Sequence, residues 1–388
     1  MKLRDNLIVK LLLGLVIGIV IGMVANEALI QVILSIKQIL GQVIFYMVPL
    51  IILGFITPAI TDLKDNASKM LFAALGIAYL SSIGAAFFSM VAGYSIIPML
   101  NIVPKTEGVR ELPELVFQLG IPAIMPVMTA LFTSIVFGLA IIWTKSEGFE
   151  RLFKELNNIM MGLVQKVVIP ILPFFIATTF AGLAYEGAIL TQFPVFLAVI
   201  LIVIIGHYIW LALLYGIGGF ISKENPWEVL RHYGPAYMTA LGTMSSAATL
   251  PVALACARKS KVLDRQVTDF AIPIGATIHL CGSVLTEVFF VMTVSQILYG
   301  QLPALGSMII FILLLGIFAI GAPGIPGGTV MASLGIITGV LLFDETGVAL
   351  MLTIFALQDS FGTACNVTGD GAIALMLTGL FKKKEKLS

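Results

Sequence analysis

Apolar runs of membrane-crossing length recur along this 388-residue chain, and they dictate the solvent in which it folds. A hydrocarbon core about 30 Å thick takes about 20 consecutive apolar residues to cross as a helix. Leu7–Ala25 is the first stretch of that kind, with Lys2, Arg4 and Lys10 before and inside its start. The run is longer than a signal-peptide core and no convincing small-residue cleavage site follows it, so it reads as a span. Further runs occupy about 30–60, 70–100, 119–143, 157–184 and 191–221, and four less regular ones lie near 233–256, 267–298, 304–342 and 347–380. Composition agrees. Only 11% of residues are charged, against roughly 25% in an ordinary soluble domain, which is too few to cover a water-facing surface. A net charge of +1 gives no basic excess to attract nucleic acid. Cys256, Cys281 and Cys365 lie far apart in apolar sequence, which suits neither a disulfide framework nor a paired-cysteine metal site. A soluble enzyme, a secreted domain and a disordered hub are excluded.

The positive charges fix sidedness. If the first span runs from inside to outside, 18 of the 22 Lys and Arg fall in inside loops, Lys105 and Arg110 fall outside, and Lys37 and Lys166 lie within or beside spans. That pattern requires the segments at 233–256 and 304–342 each to enter and leave on one side. The positive-inside rule therefore predicts eight full spans, two re-entrant hairpins and both termini in the cytoplasm. The fold class expected is an all-α polytopic membrane protein with inverted repeats.

The last third is unlike the rest. Leu241-Gly242-Thr243-Met244-Ser245-Ser246-Ala247-Ala248-Thr249-Leu250-Pro251 is small and hydroxyl-rich, and Gly321-Ala322-Pro323-Gly324-Ile325-Pro326-Gly327-Gly328-Thr329 is rich in Gly and Pro. Backbone this irregular does not face lipid, because each unsatisfied amide would cost several kcal/mol. It is tolerated where it lines a cavity or holds a ligand, and a matched pair of such breaks points to a transporter's binding site. The plainer alternative is two helices kinked by ordinary Gly and Pro.

Polar residues inside the last spans sharpen this. The segment 267–298 holds Gly275-Ala276-Thr277-Ile278-His279-Leu280-Cys281-Gly282-Ser283 and then Glu287. The segment 347–380 holds Asp359, Thr363, Asn366, Thr368 and Asp370. Positions 359, 363, 366 and 370 follow helical spacing and share one stripe. A mid-membrane carboxylate costs at least about 2.5 kcal/mol and marks a site by default. Interhelical hydrogen bonds account for Thr363 and Thr368, but two like-charged aspartates on one stripe require a cation. The last two spans contain no Lys or Arg, so the cation comes from outside the chain, as Na⁺, H⁺ or an ammonium group.

Asn366-Val367-Thr368-Gly369-Asp370, with Asp359 and Thr363 upstream, resembles the eighth-helix signature of the glutamate transporter homologue family, the dicarboxylate/amino acid:cation symporters. Ser245-Ser246-Ala247-Ala248-Thr249-Leu250-Pro251 resembles that family's first hairpin tip, Gly324-Ile325-Pro326-Gly327-Gly328 its second, and Pro273-Ile274-Gly275-Ala276-Thr277-Ile278 the approach to its Asn-Met-Asp-Gly-Thr break. The resemblance covers the whole chain. It implies a homotrimer in the cell membrane working by an elevator motion. Residues 1–65 would be scaffold helices 1 and 2, 66–100 transport helix 3, and 101–190 scaffold helices 4 and 5. Residues 191–388 would hold transport helix 6, both hairpins, helices 7 and 8 and a basic cytoplasmic tail. Asp359 would take the substrate's amino group. Asn366 would take its α-carboxylate, with Ser245, Ser246, Ala322, Gly324, Gly327, Gly362 and Thr363 around it. One Na⁺ would sit among Gly275, His279, Asn366 and Asp370, a second on the carbonyls of Thr277 and Ile320, and a third at Ser81 and Ser82.

The departures carry the specific expectations. Gly362 and Met244 stand where relatives place the arginine that meets an acidic side chain. A bare substrate carboxylate would be costly to bury there, and Gly362 is expected to leave room for something larger, so a neutral amino acid is expected. A dicarboxylate or acidic amino acid read in some unusual way is the alternative. The family's break reads His279-Leu280-Cys281-Gly282-Ser283 here. Cys281 replaces a carboxylate with a soft thiol that suits Na⁺ poorly, which removes the third site. His279 titrates near neutral pH, and Glu287 matches the titratable glutamate of proton-coupled relatives. Protons thus contribute to coupling or replace Na⁺ altogether, unless His279 is a neutral hydrogen-bonding residue. Two other classes compete less well: a channel, for which no repeated filter sequence is visible, and an intramembrane enzyme, for which no nucleophile or metal motif surrounds Cys281.

Overall fold

A helix rises about 1.5 Å per residue, so helix length separates what can cross a bilayer from what cannot. The computed structural model describes residues 7–62, 69–100, 102, 112–187, 189–322, 324 and 326–381, and among them the regular structure is helical. In chain order the helices are α1 (Leu7–Val24), α2 (Glu27–Asp62), α3 (Lys69–Ile96), α4 (Val127–Thr144), α5 (Glu147–Leu163), α6 (Ile169–Glu186), α7 (Ile189–Ser222), α8 (Trp227–Leu230), α9 (Gly234–Thr243), α10 (Ser246–Ala257), α11 (Arg265–Ile278), α12 (Cys281–Tyr299), α13 (Leu305–Gly321), α14 (Gly328–Gly339) and α15 (Glu345–Phe381). A π-helical turn, Val164–Val168, joins α5 to α6 in one path.

Six helical paths among the described residues are long and apolar enough to cross a membrane: Glu27–Pro58, Lys69–Leu100, Glu147–Glu186, Pro194–Ser222, Arg265–Tyr299 and Thr346–Phe381. The sequence led us to expect eight. The other two, α1 and α4, are apolar helices of 18 residues each, about 27 Å long, and the residues before α1 lie outside the described ones. The start of α4 is also corrected. The run at 119–143 is apolar from its first residue, but Gly120, Pro122 and Pro126 deny it helical geometry and amide donors, and the helix begins only at Val127. The preceding strip hangs instead on polar side chains of α2. Val116 N–H donates to Ser35 Oγ at 3.0 Å, Leu119 N–H to Gln38 Oε1 at 3.2 Å and Ile121 N–H to Gln42 Oε1 at 2.7 Å. The domain limits at 66 and 101, together with Lys2, Arg4 and the basic tail, lie outside the described residues.

Two packing neighbourhoods organise the helices. In one, α1 lies along α6, and α2 along α4, α5 and α6. The first contact is made by glycines. A Cβ on Gly14, Gly18 or Gly22 would stand 2.4, 2.2 and 2.2 Å from the carbonyl oxygens of Pro173, Ala177 and Ala181. Four-residue spacing puts all three on one face, which lets the backbones approach as small residues do in membranes. In the other neighbourhood, α15 is wrapped by α7, α9, α11 and α12, and α3 packs on α12 and α13. The polarity is inverted relative to a water-soluble protein. The polar-rich paths Arg265–Tyr299 and Thr346–Phe381 are 83% and 89% buried over their apolar windows, whereas the almost wholly apolar Pro194–Ser222 is only 39% buried. Leu201, Ile205 and Leu213 of α7 face outward, as lipid requires.

Candidate substrate and cation site

Three helix breaks meet around α15. The first follows α9, where Met244 turns left-handed at φ 53 and Ser245 caps α10 by accepting the Ala248 N–H at 3.2 Å. A serine cap on α10 satisfies one of the orphan amides that every helix start exposes. The second lies between α13 and α14, where Ala322 is extended and Gly327, at φ 71, takes a backbone conformation that side chains disfavour. The two tips touch. Ser245 Oγ donates to the Gly324 carbonyl at 2.6 Å, and Ala247 N–H reaches the same oxygen at 3.3 Å. Pro323 and Ile325 lie outside the described residues. Asp359 of α15 faces this junction: its Oδ2 accepts the Gly327 N–H at 2.7 Å, and it is buried.

The third break separates α11 from α12. His279 is extended, and Leu280 stands at the N-cap of α12 with no side-chain acceptor to offer. The acceptor comes from another helix. Asn366 Oδ1 takes the Gly282 N–H at 2.7 Å and the Ser283 N–H at 3.2 Å, while its Nδ2 donates to Ser283 Oγ at 2.9 Å. Asn366 thus caps α12 from α15, and one of its two Nδ2 hydrogens remains for a ligand. Gly362, expected to open volume, does not: a Cβ there would lie 3.3 Å from the Cα and Oγ of Ser283. The space is taken by the start of α12.

Beside this cap, His279 bridges two helices. Its Nδ1 lies 3.0 Å from Asp370 Oδ1 and its Nε2 2.9 Å from Ser81 Oγ on α3, with the ring and the carboxylate almost wholly buried. An Nδ1–H donating to the carboxylate satisfies the first contact. Nε2 then accepts from the Ser81 hydroxyl in the neutral ring or donates to it in the charged one. The atoms assigned to a Na⁺ at Asp370 are therefore engaged. Asp370 Oδ1 meets the imidazole, the Gly275 carbonyl accepts the His279 N–H at 2.9 Å, and Asn366 Oδ1 accepts two amides. This arrangement does not fit a Na⁺ ion. In the neighbouring set Ser81 is held by His279 and Cys281 offers a buried thiol, which leaves Ser82 Oγ, buried without a hydrogen-bond partner, as its one unengaged side-chain oxygen.

The remaining expected cation position differs. Thr277 and Ile320 lie in the last turns of α11 and α13, two helices that pack together. Carbonyls at a helix C-terminus lack intrahelical donors and carry its negative dipole end. Thr277 is exposed, with its Oγ1 donating back to the Ile274 carbonyl at 2.7 Å. Glu287 is fully buried on α12, where Ser333 Oγ of α14 donates to one carboxylate oxygen while Oε2 has no partner. Two residues outside the expected site support it. His207 of α7 contacts the Gly282 carbonyl and Thr286 Oγ1, each at 3.0 Å. Ser283 meets both Asn366 and Gly362. A lone histidine in an apolar run was the visible signal for the first; nothing local signals the second.

Known proteins bear on this geometry. Excitatory amino acid transporter 2 of Mus musculus and of Homo sapiens are 31% and 30% identical over 289 residues, 71% of this chain and 48% of each relative. Human excitatory amino acid transporter 1 is 30% identical over 243 residues, 61% of this chain and 44% of the relative. The chain thus spans about half the length of the curated relatives it matches. The sodium:dicarboxylate symporter family matches residues 7–380, which takes in the helices described above up to the last residue but one of α15. The chain is accordingly a multi-pass membrane protein that belongs to the sodium:dicarboxylate symporter family, a family of transporters.

Proposed function

We propose that this protein is a cation-coupled symporter of neutral amino acids. One observation carries the reading. Asp359 is buried against the second tip, while no Lys or Arg stands anywhere from residue 266 to 381. A buried carboxylate demands a cation or a set of donors, and the ammonium of an amino acid supplies the cation. A second carboxylate, on an acidic side chain, would find no fixed positive charge, because Met244 and Gly362 are apolar and His279 is held by Asp370. The substrate's α-carboxylate fits the starts of α10 and α14 at Ser246 and Gly328, where helix N-termini favour anions, and the free Nδ2 hydrogen of Asn366. The second reading, an acidic substrate, draws on the printed names of the relatives, which are excitatory amino acid transporters.

Alternating access follows from the two neighbourhoods. The group of α1, α2, α4, α5 and α6 serves as scaffold of a homotrimer, and α3 with α7 to α15 moves as the transport body. The pairs α9–α10 and α13–α14 act as re-entrant hairpins: α9, α10 and α14, of 10, 12 and 12 residues, reach only about 15–18 Å, α13, of 17 residues, reaches about 26 Å, and each pair packs on itself. The Ser245–Gly324 contact closes the substrate in, and a tip must break it to let substrate leave. Na⁺ enters on the carbonyls of Thr277 and Ile320, with a proton contribution through Glu287, and both termini stay in the cytoplasm. Ligand-induced thermal stabilisation of the purified protein tests the substrate class. Neutral amino acids should stabilise wild type but not Asp359→Ala; stabilisation by aspartate or glutamate alone would support the second reading.

A further inference from the structure

The pair His279–Asp370 is built as closely as a ligand site, yet it leaves no position for a ligand. Gly369 presses its bare Cα against the ring, where a Cβ would fall 2.8 Å from His279 Cε1, and Gly275 does the same to the carboxylate, 2.8 Å from Asp370 Oδ1. Ser81 holds the far nitrogen from α3. A hard cation gathers several oxygens around itself, and here Asp370 Oδ1, the Gly275 carbonyl and Asn366 Oδ1 each already accept N–H groups of the chain, with the imidazole seated against the carboxylate. A buried carboxylate must still be compensated. The group that touches it is the imidazole.

We propose that His279 is a tethered replacement for a coupling cation: its ring, bridging Ser81 of α3 and Asp370 of α15, occupies the ion's place, so that the protein binds no Na⁺ at Asp370. The inference rests on the symporter reading above and narrows its ion requirement to the carbonyls of Thr277 and Ile320. It also explains Cys281. With the ring in place, a carboxylate at 281 would add a second buried negative charge with no further cation to meet it.

Equilibrium binding of ²²Na⁺ to the purified protein tests this without requiring transport. Wild type should bind at most one Na⁺ per protomer, and Asp370→Asn should bind the same number. The double variant His279→Asn/Cys281→Asp, which vacates the ring's place and restores oxygen ligands, should gain one Na⁺ per protomer and lose it again when Asp370→Asn is added. Loss of a Na⁺ from the single variant Asp370→Asn would overturn the proposal. So would a wild-type count of two or more, or a monodisperse double variant that gains nothing. The wild-type count stands on its own if a variant fails to fold. Absence of all Na⁺ binding would leave His279 in its role and refute Na⁺ coupling instead.

Discussion

Asn366 holds the start of α12 from a different helix, and removing it should destabilise the protein measurably. Asn366→Ala deletes the acceptor of two backbone N–H groups and the donor to Ser283 Oγ. The surroundings are dry: Cys281 is 0% and Ser283 2% exposed, so water does not replace the amide. A lost helix cap costs about 1 kcal/mol, and each buried donor left unsatisfied about 1–3 kcal/mol. Interhelical hydrogen bonds in membranes average nearer about 0.6 kcal/mol, which puts three of them at about 2 kcal/mol as a floor. The loss should therefore be about 2–5 kcal/mol. Domains of 150–250 residues shift by about 2–4 °C per kcal/mol, and a longer chain by less, so a drop of about 4–10 °C is expected. Asn366→Asp keeps an acceptor for both N–H groups and places its charge at a helix N-terminus, where charge of that sign is favoured, so it should fall less. The assay is retention of the monodisperse species after a heating series in detergent. An Asn366→Ala protein within about 1 °C of wild type would refute the capping argument.

The other predictions are more direct. Asp359→Asn keeps the acceptor for Gly327 N–H but removes the charge that meets an ammonium; losing a charged hydrogen bond of about 1.5–3 kcal/mol should weaken substrate binding by about 10–150-fold in a thermal-shift titration. Gly18→Leu forces a side chain where even a Cβ would lie 2.2 Å from a backbone carbonyl; overpacking of this kind costs about 1–3 kcal/mol or more, and melting of the purified variant should show it, while the same change at Gly162, which has open space, should not. Gln42→Ala removes the acceptor for Ile121 N–H and should speed limited proteolysis within 112–126. Glu287→Gln retains an acceptor for Ser333 and abolishes the carboxylate, so any dependence of uptake on external pH should flatten, and an unchanged pH profile would exclude Glu287 as a proton carrier.

The breaks that build the site were legible because they are written locally. Hydroxyls and small residues at 243–246, Gly and Pro at 321–328 and the polar interruption at 279–283 each end a helix near the residue expected. The stripe of Asp359, Thr363, Asn366 and Asp370 was legible for the same reason, since spacing alone places it on one face. What escaped the sequence depends on partners far along the chain. No local rule announces that Asn366 caps a helix 84 residues away, or that the His279 ring turns between Ser81 and Asp370 and fills an ion's place. Gly362 misled for a related reason: a missing side chain opens space only if nothing else enters, and Ser283 does. The strip at 112–126 misled in the opposite way. Its hydropathy suits a span, but three backbone-breaking residues and the amides of α2 decide otherwise.

Uptake by reconstituted protein tests the central claim most directly. Proteoliposomes holding the purified chain should be offered labelled alanine, serine, leucine, aspartate and glutamate, with and without an inward Na⁺ gradient. The account predicts uphill accumulation of a neutral amino acid that collapses when the gradient is dissipated, and none of aspartate or glutamate. Gradient-driven accumulation of aspartate with no uptake of any neutral amino acid would contradict it.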